Sequence, residues 1–167
     1  AYPTEIIKTN KGNVISAMKI DYEQQSNAED HYTPSKVWKG AVGVTPPNIE
    51  YRMDCKYDFY DSMGRPWEMT DRNGKSTCYI WGYEGQYLVA KIENMTYDVL
   101  SDQYGITNNA YPDTLPETEE NMLRGIEGIA VTTYAYDPLV GITRITDPSG
   151  HSVYYLSLIH ISEPTRR

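Results

Sequence analysis

Apolar and polar residues alternate with a period of two over much of this chain, and short clusters bearing Gly, Asp, Asn or Pro interrupt the alternation. That pattern predicts strands of antiparallel sheet, each with one packed and one solvated face. The clearest run covers residues 49–60. Tyr51, Met53, Cys55, Tyr57 and Phe59 fall on one side, and Arg52, Asp54, Lys56 and Asp58 on the other. Before it, residues 4–9 and 14–22 flank a turn-forming cluster at Asn10 to Asn13 and read as a hairpin, with Val14, Ser16, Met18, Ile20 and Tyr22 on one face. Residues 23–35 are polar and aperiodic, which predicts a loop. Residues 36–45 regain alternation through Trp38, Val42 and Val44, until Pro46 and Pro47 end it.

Three short strands follow over residues 57–83, joined by turns at Asp61 to Gly64 and Asp71 to Gly74. In each turn the Asp can accept backbone amide hydrogens, and the Gly can take positive φ. Tyr79, Trp81 and Tyr83 share a predicted face of the third strand, and strand character resumes through Leu88, Ala90 and Ile92. The pattern changes between residues 93 and 128. Residues 96–104 before Gly105 predict a short helix, and Thr114, Pro116 and Glu117 resemble a capping box opening a helix over residues 115–124. Strands return at residues 129–137, 142–146 and 152–155. The expectation is therefore a mainly β, antiparallel hairpin meander with one or two short helices inserted around residues 96–124.

The spacing repeats. From Asp61, Thr70 lies at +9, Asp71 at +10, Gly74 at +13 and Tyr79 at +18; from Asp137, Thr146, Asp147, Gly150 and Tyr155 occupy the same offsets. Only the first turn differs, with Gly141 at +4 where Gly64 stands at +3. Recurrence at a fixed spacing marks a repeat array.

These residues resemble the YD-repeat, or Rhs-repeat, family. The first copy carries Tyr60, Asp61, Gly64, Arg65, Thr70, Asp71, Gly74 and Tyr79; the second carries Tyr136, Asp137, Gly141, Thr146, Asp147, Gly150 and Tyr155, without an Arg after Gly141. The resemblance is specific over residues 50–155 and weaker over 1–49. It implies a β-shell or spiral in a larger secreted or cell-surface protein, with neighbouring repeats of the same chain as partners. A C-terminal toxin cargo, absent here, or surface glycans are further partners of such proteins. The implied division is 1–49 as N-terminal strands and polar loop, 50–93 and 129–155 as repeat units, and 94–128 as an insertion. Residues 156–167 resemble translated sequencing-adapter sequence, so the chain is expected to be a piece of something longer.

Composition adds to this picture. The 167 residues hold 16 Tyr against one Phe, suiting half-buried strands where a ring packs and its hydroxyl finds a partner. The net charge of −8 argues against nucleic acid, which needs clustered Lys and Arg. Setting the tail aside leaves 22 acidic and 13 basic residues. No apolar run is long enough to span a membrane.

Candidate chemistry is sparse. Asp61, Asp71, Asp137 and Asp147 head turns, and none has the alternating oxygen ligands of a calcium loop. His31 lies among Glu29 and Asp30, His151 follows a turn glycine, and neither has a second ligand at metal spacing. No nucleophile elbow or phosphate loop occurs. No catalytic residue, cofactor or metal is expected, and the protein reads as no enzyme. Cys55 and Cys78 belong to the first and third strands of a meander, about 9–10 Å apart, too far for a disulfide; two buried free thiols are expected. Asn94-Met95-Thr96 fits a glycosylation sequon. Tyr79, Trp81, Tyr83 and Tyr87 either stack on sugar rings, giving a carbohydrate- or partner-binding module, or form the packed side of a sheet.

Overall fold

The computed structural model describes residues 4–24, 32–61, 63–107, 111 and 113–155. The adapter-like tail, His31 and most of the polar loop before it lie outside the described residues. Ten strands form one sheet in strict chain order, every neighbouring pair antiparallel. They are β1 (Glu5–Asn10), β2 (Asn13–Gln24), β3 (Tyr32–Gly40), β4 (Tyr51–Tyr60), β5 (Pro66–Asp71), β6 (Ser76–Gly82), β7 (Tyr87–Glu93), β8 (Ala130–Asp137), β9 (Gly141–Thr146) and β10 (Ser152–Tyr154). Two helices, α1 (Tyr97–Tyr104) and α2 (Glu117–Arg124), interrupt the meander between β7 and β8. The mainly β meander with inserted helices is thus the observed fold.

Both helices lie on one face. Cys78, Ile92 and Val131 form one cross-strand row, and Ile80, Ala90 and Thr133 form the next. Directly paired residues share a face. On these rows sit Leu100 of α1, Leu123 of α2, and Met95, Ile106, Tyr111 and Leu115 from the segments around the helices. This is the hydrophobic core, and it draws entirely on residues 78–131. Gly82 lets the cover close: a Cβ there would lie 2.1 Å from the backbone oxygen of Asp113.

The helices differ from expectation at one end. Helix α1 runs from Thr96 to an αL Gly105, which donates to Ser101 O, a common glycine stop. Thr96 makes no side-chain cap; the buried carboxylate of Glu68 accepts the Tyr97 amide hydrogen at 2.8 Å instead. Helix α2 begins at Glu117, not at residue 115, and its N-cap is Pro116. The capping box suggested by Thr114 and Glu117 does not form, because Leu115 is drawn into the core ahead of the helix.

Bulges correct the simple alternation. Where Lys8 and Thr9 face Ser16 and Val14, Ile15 is the extra residue, so Val14 and Ala17 are buried while Ser16 is exposed. The expected face of residues 14 to 22 is broken there. In β4, Asp54 and Asp58 are both extra residues. Each bulge turns the following side chains over. Cys55 and Tyr57 therefore face away from Tyr51 and Met53, and Phe59 turns back again to lie 6.2 Å from the ring of Tyr97. The single apolar face expected of residues 49–60 does not exist. Residues 32–35, expected in a loop, open β3; Val42, expected in a strand, lies in an exposed bend after it.

Candidate functional site

Three turns share one hydrogen-bond pattern. Asp61 Oδ1 accepts the amide hydrogens of Met63 at 2.8 Å and Arg65 at 2.9 Å; Asp71 Oδ1 accepts those of Asn73 at 2.8 Å and Lys75 at 2.9 Å; Asp147 Oδ1 accepts those of Ser149 at 2.8 Å and His151 at 3.0 Å. In each, the Gly amide donates to the Asp carbonyl at 3.0 Å. Gly64, Gly74 and Gly150 have φ of 77°, 79° and 84°, the left-handed region a side chain resists. The Lys75 and Asn73 amides hold the Asp71 carboxyl below the usual carboxylate range, against a smaller opposing effect of desolvation.

The fourth turn is different. Asp137 accepts from Leu139 at 3.0 Å, and Val140 donates to its carbonyl at 2.9 Å. Pro138, Leu139 and Val140 lengthen the loop, so Gly141 (φ 112°) opens β9 opposite Asp137. Leu139 is left 96% exposed.

Asp61 is set apart by burial, at 5% exposed, and by Arg65, whose Nε donates to Asp61 Oδ2. The Arg65 guanidinium lies over Gly85, where a Cβ would collide with it, and it reaches Glu84 O at 3.4 Å. Arg65 thereby ties the β4–β5 turn to the β6–β7 turn. In the second copy Ile142 follows Gly141, and no such tie exists at that position.

A further shared feature escaped the sequence reading. Thr70 Oγ1 lies 3.2 Å from Ser76 Oγ, and Thr146 Oγ1 lies 2.9 Å from Ser152 Oγ. Both pairs clasp a Thr-Asp-x-x-Gly-x-Ser turn at its base. The signal was visible, since both serines sit five residues after the second Asp of their copy.

The four aromatic residues considered for ligand contact are not one row. Tyr79 and Trp81 lie on the face away from the helices, where the Tyr79 hydroxyl is 3.9 Å from Met69 Sδ and Trp81 Nε1 donates to Pro66 O at 2.9 Å. Burial pushes the Tyr79 hydroxyl up to about 12. Tyr83 leaves the strand with φ 51°, packs against the helix-side core, and joins Tyr87 and Tyr136. Tyr87 stacks on Tyr136 at 4.7 Å, and Tyr83 meets both rings edge-on. The Tyr83 hydroxyl donates to Tyr136 O and accepts its amide hydrogen. Tyr155 follows β10, exposed, its amide bonded to Thr143 O.

The thiols are free. Cys78 is buried, whereas Cys55 is only partly so, a correction to the expected pair of buried thiols. Cys78 pairs with Glu68 and Cys55 with Asp71, which places the sulfurs on opposite faces. Burial raises both thiols above the usual range, most strongly Cys78. The sequon asparagine is engaged, with Asn94 Nδ2 donating to Gly128 O at 2.8 Å and Met95 buried beside it. Among the described residues no group of three or more His, Cys, Asp or Glu is placed to hold a metal. No described helix is long and apolar enough to cross a membrane.

An ion cluster lies across β3, β4 and the β5–β6 turn. Asp54, extra residue of the first β4 bulge, meets Lys39 at 2.7 Å and also pairs with Arg72. Lys39 foremost holds its carboxyl below the usual range. No protein-family model matches the chain, and no curated protein matches its sequence.

Proposed function

We propose that this chain is a non-enzymatic wall segment of a large secreted or cell-surface protein of the YD/Rhs-repeat kind, part of a β-shell whose neighbours are further repeats. One observation carries the reading: the same Asp-headed, Gly-closed turn recurs at Asp61, Asp71 and Asp147 along a sheet whose strands follow chain order without a crossover. Such a turn builds hairpins and offers no reacting group. Among the described strands β1 and β10 lie outermost, and an outer strand of a wall segment invites pairing with another chain, so residues 1–155 alone should self-associate. Sedimentation velocity tests this; a single monomer boundary with a cooperative melt overturns it.

A second reading, an adhesion module contacting glycans or a partner, draws on Tyr57, Tyr60, Tyr79 and Trp81, which lie half-buried on the face without a described helix. A glycan-array screen of a longer chain separates the two. Binding lost in both Tyr79→Ala and Trp81→Ala favours the module, and a wall segment binds nothing through that face.

A further inference from the structure

The turn between β5 and β6 carries a reactive bond that its two counterparts lack. At the third place of the three matched turns stand Met63, Asn73 and Ser149, each before a glycine. Asn73 is the only asparagine of the chain followed by glycine, and Asn73, Gly74 and Lys75 are all exposed. Asparagine is thermolabile, and a glycine behind it has no Cβ to shield the backbone nitrogen that can attack its side chain.

The reaction needs only water. The Gly74 nitrogen loses its proton to solvent and bonds to Asn73 Cγ; the Cγ–Nδ2 bond breaks, and ammonia leaves a cyclic succinimide. Water then opens the ring at one of its two carbonyls. Attack at the side-chain carbon gives aspartate, and attack at the main-chain carbon gives isoaspartate, whose backbone runs through Cβ and Cγ.

The folded turn opposes the first step. The Gly74 N–H donates to Asp71 O at 3.0 Å, and the Asn73 and Lys75 N–H groups donate to Asp71 Oδ1 at 2.8 and 2.9 Å. Asn73 Nδ2 donates to Asp71 Oδ2 at 3.3 Å. The attacking and the leaving nitrogen are thus both held by Asp71, and the turn must open before one can displace the other. Conversion would not leave the turn intact, because isoaspartate lengthens the backbone and sets a second carboxylate beside that of Asp71, where Nδ2 had been a donor. The change falls at a joint: β5 and β6 link the helix-covered strands to β1–β4, and Arg72 of this turn pairs with Asp54 of β4.

We infer that Asn73 is the deamidation site of this chain, that the Asp71 turn slows the reaction in the folded protein, and that conversion to isoaspartate loosens the β5–β6 hairpin. The inference stands on the turn and does not depend on the wall reading.

Peptide mapping by mass spectrometry tests it on the full chain, aged at mildly alkaline pH both folded and in urea. The Asn73 peptide should gain about one dalton at least about tenfold more slowly when folded, because only opened turns react. Asp71→Ala should speed the folded reaction several-fold. Asp147→Ala, which removes the matching carboxylate of the β9–β10 turn, should leave it unchanged. Asn73→Ser, which brings in the residue type of Ser149, should abolish it at an unchanged melting temperature. Aged protein carrying the extra charge, separated by anion exchange, should melt below the unmodified fraction. Equal rates folded and unfolded, no effect of Asp71→Ala, an equal effect of Asp147→Ala, or equal melting temperatures of the two fractions would overturn the inference.

Discussion

Strands β6–β8 and strands β1–β4 belong to the same continuous sheet, yet they are held in different ways. The middle strands carry α1 and α2, and nearly every fully buried side chain among the described residues lies between Cys78 and Val131. In β1–β4 the buried apolar side chains are Val14 and Ala17. That flank depends instead on contacts that cross strands. Tyr51 lies over Gly40 and past Ala17 to donate its hydroxyl to Glu5 at 2.7 Å, and Trp38 Nε1 donates to Asp21 at 2.7 Å. Gly40 is needed for the first contact, because a Cβ there would come within 2.6–3.0 Å of Ile49, Ala17 and Tyr51. A sheet face covered by helices gains apolar burial, whereas a bare one retains ladders and polar side-chain ties.

The sharpest way to break the comparison is a matched pair of truncations. Leu100→Ala empties a fully buried position and should cost about 2–5 kcal/mol. Ile7→Ala, at a residue 38% exposed on the edge strand, should cost less than about 1 kcal/mol. Urea unfolding of both variants gives the answer, and equal shifts in midpoint would show the two regions to be equally dependent on burial.

Glycines allow a finer cut. Gly82→Ala collides with the Asp113 backbone and should destabilise by about 1–3 kcal/mol. Native-state hydrogen exchange should show the loss concentrated in α1, α2 and β6–β8. Gly40→Ala meets no backbone atom but presses on the Ala17 Cβ, which moves only with its strand, so its cost should fall at the lower end of that range, about 1–2 kcal/mol, and be confined to β1–β4. Reversal of this order would mean that the bare flank is the more rigidly packed.

The smallest effect is a pH dependence. The hydrogen bond to Glu5, with some desolvation, pushes the Tyr51 hydroxyl up to about 12. A raised pKa means a contribution fully present below the unfolded value of about 10 and lost as pH rises toward the folded value. Wild type should therefore exceed Tyr51→Phe by less than about 1 kcal/mol at neutral pH, given the solvent exposure of the pair. That margin should vanish on alkaline titration. A margin that persists at high pH would mean that the Tyr51 hydroxyl does not act by donating to Glu5, since Tyr51→Phe keeps the ring over Gly40.

The strand count, the chain-order meander and the Asp-x-x-Gly turns were legible because each depends on residues close in sequence. Asp71 needs only Asn73, Gly74 and Lys75 to make its turn. The faces were not legible. Whether Cys55 and Phe59 lie with Tyr51 depends on Asp54 and Asp58 being squeezed out of register by neighbouring strands. Nor was the start of α2 readable, since Leu115 answers to the core beside it before it answers to a capping box. A groove below α2 joins Arg144 to residues of a helix 20 or more positions earlier, and no local pattern announces it.

Sequence by itself determined where this chain turns and where it extends, because turn chemistry and period-two alternation act over a few residues. Tertiary structure decided which side chains look toward the helices and which aromatic residues pack. Those outcomes follow from bulges and from cover supplied by distant segments. One extra residue in a strand reverses every face beyond it, and only the pairing strand decides where that residue goes.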